Sequence, residues 1–253
     1  LAEGHEQLGL AYRRAGNLPQ AATALERCVR LDPFNARAVF ELAEVYRLLQ
    51  DTSRAIRAYV SACQLMPDDF DARFRLASCY HQAGDLEAAA RAYEEALRID
   101  PRNAFAWSNL GAAHEARGEY HEAVKAYRNS LESSEQQPIV LVNLATVYIR
   151  QERYAIARRT LAKAIELAPT LSVAHERLGY CDWREERLDD AERSYRRAIE
   201  LNDKNARAHA GLGVVLMTRH LSEPSNDALR ETAIESWHAS LEIEPSQPNL
   251  RNL

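Results

Sequence analysis

The sequence predicts an all-α solenoid of paired helices, and three observations carry that prediction. Residue types recur at a fixed spacing of 34, apolar and small side chains recur at helical spacing within each unit, and most prolines fall between those runs. The period is unbroken at two slots. Ala21, Ala55, Ala89, Ala123, Ala157 and Ala191 form one series; Leu8, Leu42, Leu76, Leu110, Leu144, Leu178 and Leu212 form the other, each leucine followed by Gly or Ala. Nine Gly and nine Pro in 253 residues are too few for an all-β chain of many tight turns, and 46% hydrophobic with 27% charged residues excludes a disordered one.

Seven units follow, 2–35, 36–69, 70–103, 104–137, 138–171, 172–205 and 206–247, the last with eight extra residues near 219–227; residues 248–253 form a tail. The first two carry the series as Leu8-Gly9 with Ala21 and Leu42-Ala43 with Ala55. In the third, Ala72, Leu76, Cys79 and Tyr80 predict a first helix that the turn signal Gly84-Asp85 closes. Ala89, Tyr93, Ala96 and Leu97 predict a second, ended by Asp100-Pro101 because proline disfavours helix in the residue before it. The fourth departs at its end: an apolar residue and a proline are replaced by Glu132-Ser133-Ser134-Glu135-Gln136-Gln137, so its second helix is expected to fray into a polar loop. The sixth places Asp182 where Tyr12, Tyr46, Tyr80 and Tyr148 stand, and a half-buried carboxylate needs partners. His175, seven residues earlier on the same helical face, and His209, at the equivalent slot of the next unit, are expected to supply them in a structural pairing. In the seventh, Pro224 and the Ser, Asn and Asp around it mark a loop and a fresh helix start, read as a tolerated surface insertion.

With these slots the chain resembles the tetratricopeptide repeat family. Trp107, Leu110, Gly111, Ala123 and Tyr127 carry the resemblance in the fourth unit, and equivalents recur in all seven, from Ala2 to Gln247. The period separates it from the RNA-binding pentatricopeptide repeats, which are one residue longer. The resemblance implies a right-handed α-α superhelix in which first helices line the concave surface and second helices face outward.

No enzyme is expected, and no cofactor or metal. His5-Glu6, His114-Glu115, His121-Glu122 and His175-Glu176 lack the second histidine, one helical turn on, that zinc-binding HExxH requires, and neither a phosphate-binding loop nor a nucleophile elbow is present. His5, His175 and His209 share the slot of Trp107 and read as packing residues. Cys28, Cys63, Cys79 and Cys181 are scattered without metal or disulfide spacing and fall at small-residue core slots. They suit a reducing, cytoplasmic setting. A net charge of −5 gives no overall attraction for nucleic acid or an anionic membrane, and the pairs Arg13-Arg14, Arg158-Arg159 and Arg196-Arg197 stand among acidic residues. Opening on Leu1, the chain is expected to be a piece of a longer protein. Six residues after the seventh unit are too few for a capping helix, so the parent chain continues or that end packs on another molecule, self-association included.

Function is therefore sought on first-helix slots that packing does not use. One inner row reads Gln7, Glu41, Arg75, Asn109, Asn143, Arg177 and Gly211; a neighbouring row reads Glu6, Phe40, Phe74, Ser108, Val142, Glu176 and Ala210. Asn109 and Asn143 fall at one slot in successive units, and a side-chain amide both donates to and accepts from a peptide backbone. The pair resembles two rungs of the asparagine ladder in O-linked N-acetylglucosamine transferases. Phe40, Phe74, Phe105, Ile139 and Val142, with Ile149 and Val173, form an apolar stretch expected to be exposed. Thr146 and Tyr180 lie one turn on. With Arg75 and Arg177 beside them, these residues suit a peptide that has hydrophobic anchors and an acidic residue. The two-carboxylate clamp of chaperone-binding modules is not expected, because only Asn143 and Arg177 match it while Ser108, Ala112 and Val173 replace the rest. The reading is a non-catalytic scaffold that binds a protein or peptide; its alternative is the substrate-recruiting region of a larger enzyme, such as a transferase.

Overall fold

The computed structural model describes residues 1–247, so the expected tail lies outside the described residues. Helices alternate throughout. The first helices of the pairs are α1 (Ala2–Arg14), α3 (Ala36–Leu48), α5 (Phe70–Ala83), α7 (Ala104–Ala116), α9 (Pro138–Arg150), α11 (Ser172–Arg184) and α13 (Ala206–Ser222). The second helices are α2 (Leu18–Leu31), α4 (Thr52–Leu65), α6 (Leu86–Ile99), α8 (Tyr120–Ser133), α10 (Tyr154–Leu167), α12 (Leu188–Leu201) and α14 (Asp227–Ile243). The chain divides into two compact units, Leu1–Ser133 and Ser134–Leu253, which hold α1–α8 and α9–α14.

Within each unit the repeat is a packing device. The alanine series is fully buried from Ala21 to Ala191. The small residue after the leucine lets a large side chain lie against the helix backbone: a Cβ added at Gly9 would stand 2.6 Å from Leu25, one at Gly111 2.7 Å from the Tyr127 ring, and one at Gly213 2.3 Å from Nε1 of Trp237. Each first helix packs on its own second helix, and within the units α3, α5, α7, α11 and α13 also pack on the second helix before them. Leu8, on α1, has no preceding second helix and is 44% exposed, whereas Leu42, Leu76 and Leu110 are buried. Successive first helices also touch, as α9 with α11 and α11 with α13, while no successive pair of second helices packs comparably among the described residues. First helices therefore line the inner side of each unit.

Turn chemistry sets the element boundaries. Residues 16, 50, 84, 118, 152 and 186 all take positive φ between first and second helix; Gly16, Gly84 and Gly118 do so freely, whereas Gln50, Glu152 and Glu186 carry a side chain into the left-handed region. Asn35, Asp51, Asp69, Asp85 and Asn103 cap α3 to α7 by accepting a backbone N–H three residues on. The positions before α9 to α12 hold Gln137, Arg153, Leu171 and Arg187, and none caps.

Two expectations are corrected. Helix α8 does not fray: it runs to Ser133 with 14 residues, as α2, α4 and α6 do. Ser133 donates back to the Asn129 carbonyl at 2.9 Å, Ser130 ties α8 to the Ala104 carbonyl at 2.7 Å, and the Gln137 amide closes the following turn on the Ser134 carbonyl. Nor do the eight extra residues of the seventh unit make a long loop. Helices α13 and α14 have 17 residues each against 13 or 14 in the regular pairs, so most of the insertion lengthens the helices and only residues 223–226 connect them.

Candidate interaction surface

The structure sorts the eleven groove candidates by what packing does with them. Val142 is 5% exposed and belongs to the core, which corrects its reading as an open slot. Phe40 and Phe74 are likewise only half-buried remnants of packing: Phe40 meets Tyr59 edge-on at 5.9 Å, and Phe74 stacks on Phe70 at 5.6 Å and meets Tyr93 at 5.7 Å. Their row faces the adjoining second helix, which is why Glu6 and Glu176 at the same slot are buried too. Phe105 and Ile139 are open, at 74% and 54%. Arg75, Asn109, Asn143, Thr146, Arg177 and Tyr180 are half-buried on first helices. Asn109 belongs to the first unit and Asn143 to the second.

On the first unit the inner face is neutralised by its own ion pairs. Arg13 holds Glu41 at 2.7 Å, Arg37 lies 3.6 Å from Glu6, and the Asn35 amide donates to Glu6 at 2.7 Å. Glu44 is the centre: Arg47 reaches it at 2.8 Å, Arg75 at 3.3 Å, and the buried Tyr59 hydroxyl donates to it. Burial works to raise the Glu44 pKa, but hydrogen bonds from Arg47 and Tyr59 and the two guanidinium charges outweigh it and hold the carboxyl below its ordinary range. Arg75 is thereby committed to Glu44. Asn109 is engaged as well: with Ser78, 3.2 Å from the Tyr93 hydroxyl, its hydrogen bonding opposes the rise that burial imposes on that phenol.

The second unit arranges its inner face differently. Arg184, near the end of α11, lies over the Tyr154 ring at 4.6 Å and over the Tyr180 ring at 5.9 Å, and donates to the Tyr180 hydroxyl at 3.0 Å. Tyr154 meets Tyr180 at 6.3 Å, and Tyr180 meets Trp183 at 5.9 Å. Sequence reasoning found Tyr180 and missed the other three. Tyr154 begins a second helix, outside the rows of first-helix slots; Trp183 and Arg184 lie on α11 beyond the last row read out, and spacing 3 and 4 from Tyr180 was the signal available. Glu176 is the buried acid nearby, 3.6 Å from Arg177, and its pKa is raised because desolvation exceeds the pull of Arg177 and Arg207.

Asp182 corrects a second expectation. Its partners are Arg158 of α10 at 2.8 Å and Arg187 at 2.7 Å, not histidine. It bridges α11 to the preceding second helix, as Tyr46 does through its hydrogen bond to Glu26 at 2.6 Å. Burial still leaves the Asp182 pKa above the ordinary carboxylate value. His175 and His209 turn instead to backbone carbonyls six residues back, Pro169 at 3.0 Å and Asp203 at 2.9 Å. Trp107 does the same to Pro101 and Arg73 to Pro67, so this slot fastens the loop that precedes α5, α7, α11 and α13, whereas Val39 and Leu141 at the equivalent positions have no side-chain donor. All four cysteines are buried, and desolvation pushes Cys63 up to about 11 and Cys181 up to about 12, which disfavours the reactive thiolate. Among the described residues, no cluster of three or more His, Cys, Asp or Glu is placed to hold a metal ion, and no helix is long and apolar enough to cross a membrane.

Helix pairs on a 34-residue period, with a small residue packed under a Leu, Tyr or Trp side chain of the second helix, agree with the family comparisons. Tetratricopeptide repeat models match residues 6–69 and 102–170 with 136–204, and a TPR repeat model matches 78–116. The chain belongs to the tetratricopeptide repeat family. No curated protein matches it. Among solved structures, the C-terminal part of a TPR repeat-containing protein from Cytophaga hutchinsonii superposes with a TM-score of 0.77 at 13% identity, covering 98% of each chain. A tetratricopeptide repeat protein from Parabacteroides merdae gives 0.71 at 16% identity, covering 99% of this chain and 96% of its own. YrrB, a TPR protein with an unusual peptide-binding site, gives 0.60 at 23% identity over 78% of this chain and 98% of its own. Such identities establish a shared fold.

Proposed function

We propose that this protein is a non-catalytic interaction scaffold whose inner, first-helix faces hold a segment of a partner protein. The observation that carries the reading is the exposure of Phe105 and Ile139 on first helices of a tetratricopeptide repeat chain, where packing has no use for large apolar side chains. Half-buried Asn143 and Thr146 stand on the same helix as Ile139. A side-chain amide offers a bound peptide backbone both a donor and an acceptor, so it holds an extended segment without reading its sequence. YrrB, with its peptide-binding site on the same fold, is the precedent. Each hydrogen bond contributes only about 0.5–1.5 kcal/mol net, so apolar anchoring has to supply much of the affinity.

The test is selection from a displayed library of random twelve-residue peptides on the 253-residue chain, followed by titration of the selected peptides. A Phe105→Ala/Ile139→Ala/Asn143→Ala variant is expected to lose about tenfold in affinity or more. Phe105 and Ile139 are exposed and Asn143 is half-buried outside the apolar core, so the variant keeps its helix content by circular dichroism. Undiminished binding to that variant would remove the first-helix faces from the reading.

A further inference from the structure

On the inner faces the two units treat arginine in opposite ways. Arg13, Arg37, Arg47 and Arg75 in the first unit each lie beside a carboxylate of the same face. In the second unit Arg150 and Arg184 have no ion pair among the described residues, and Arg207 has only the electrostatic influence of buried Glu176. Buried Glu176 and exposed Glu152, which acts on Arg184 without an ion pair, thus stand against four guanidinium groups, Arg177 included.

Arg184 is also held in place. Its guanidinium lies over Tyr154, hydrogen bonding engages the Tyr180 hydroxyl and Tyr154, and the residue is exposed beside half-buried Tyr180 and Trp183. A guanidinium fixed by stacking loses little entropy when it takes a carboxylate in its two-pronged grip. Met217 and Val214 of α13, half-buried, extend the apolar surface next to it. Exposed cations without a carboxylate in ion-pair distance among the described residues, Arg184 and Arg207, beside an aromatic surface, complement a partner that alternates acidic and apolar side chains.

We propose that the inner face of the second unit is the docking site for an acidic peptide segment with aromatic or aliphatic anchors, its carboxylates taken by Arg184 and Arg207 and its anchors laid on Tyr154, Tyr180 and Trp183. The inference rests on the scaffold reading and adds to it a location, a charge and a set of contacts. It shifts the acid-binding role from Arg75, which Glu44 occupies, to Arg184.

The experiment uses three defined, end-capped probe peptides of equal length in which leucine and phenylalanine alternate with aspartate, with serine or with lysine. Binding to the full chain is followed by fluorescence anisotropy. The aspartate peptide is expected to bind at least tenfold more tightly than the serine peptide, the lysine peptide to bind weakest, and the preference to shrink as salt rises and shortens the screening length. Arg184→Gln and Arg207→Gln should each weaken the aspartate peptide several-fold, and Tyr180→Phe, which frees Arg184, by less; Arg159→Gln, on an outward helix, should leave it unchanged. Equal binding of the aspartate and serine peptides, or of wild type and Arg184→Gln, overturns the acidic docking site while leaving the scaffold reading intact. Failure of all three probes together with an empty library selection overturns both. These arginines are exposed, so loss of fold does not enter.

Discussion

The two units share one repeat and solve its inner face differently. The first unit closes its charges on themselves around Glu44 and Glu41, caps α3 to α7 with Asn or Asp, and places glycine at three of four left-handed turn positions. The second leaves inner-face arginines open, starts α9 to α12 without a side-chain cap, and carries Glu152 and Glu186 at the turn positions. One half spends its polar side chains on its own stability. The other keeps them available and accepts weaker helix ends, the pattern expected where binding groups are held for a partner. Its own stability relies on an ion-pair network centred on the deeply buried Asp182.

Asp182 is where that reliance can be broken hardest. It is 2% exposed and ties α11 to Arg158 of α10 and to Arg187 at the start of α12. Asp182→Ala leaves Glu185 as the one carboxylate contacting both the Arg158 and Arg187 guanidinium groups among the described residues, at a cost of roughly 3 kcal/mol, the low end for a buried pair because both arginines are about a third exposed. Hydrogen exchange should show faster opening of α10 to α12 with α1 to α6 unchanged. Equal protection throughout would mean that Asp182 carries no such load.

The repeat and most buried slots were readable because they depend on periodicity, and periodicity survives in a single sequence. Packing depth was less readable. Val142 and Phe40 stand one residue before an inner-row slot, and whether such a slot opens to solvent depends on the rotation of the helix against its neighbour, which apolar spacing does not report. The Asp182 partners were missed for a related reason: Arg158 lies on a different helix 24 positions away, and the search followed histidines at repeat-equivalent slots instead. The Tyr154–Arg184 stack joins a second helix to a first, so no single helical row contains it.

A smaller change would narrow the difference between the units. Glu152 adopts φ 57° in the turn before α10, at the slot where Gly16, Gly84 and Gly118 stand in the first unit. Glu152→Gly removes a strained Cβ and is expected to stabilise the second unit by about 1 kcal/mol, less the backbone entropy that glycine adds to the unfolded chain. The same substitution at Glu186 should act similarly. Both can be read from thermal unfolding, where a gain confined to α9 to α12 supports the account and a loss of stability would show that the glutamate side chains are worth more than the strain.

Acid should separate the two units by smaller amounts and in opposite directions. Glu44 in the first unit has a depressed pKa, so its contribution to stability is fully present above the ordinary glutamate value of about 4.3 and is lost as pH falls through its lower folded value. Glu176 and Asp182 in the second unit have raised values, because burial outweighs their arginine neighbours. For them the folded state takes up protons more readily than the unfolded chain. Their contribution is greatest below the ordinary carboxylate range and declines as pH rises through their folded pKa values. Lowering pH from about 6 to about 3 should therefore loosen the helices around Glu44 while partly relieving the cost of burying Glu176 and Asp182. Hydrogen exchange at the two pH values, corrected for the intrinsic chemical rate, resolves the units separately. A fall in protection of α3 to α5 with α11 and α12 held or strengthened is the expected pattern. Parallel losses in both units would mean that the arginine pairs around Asp182, and not its burial, dominate its ionisation.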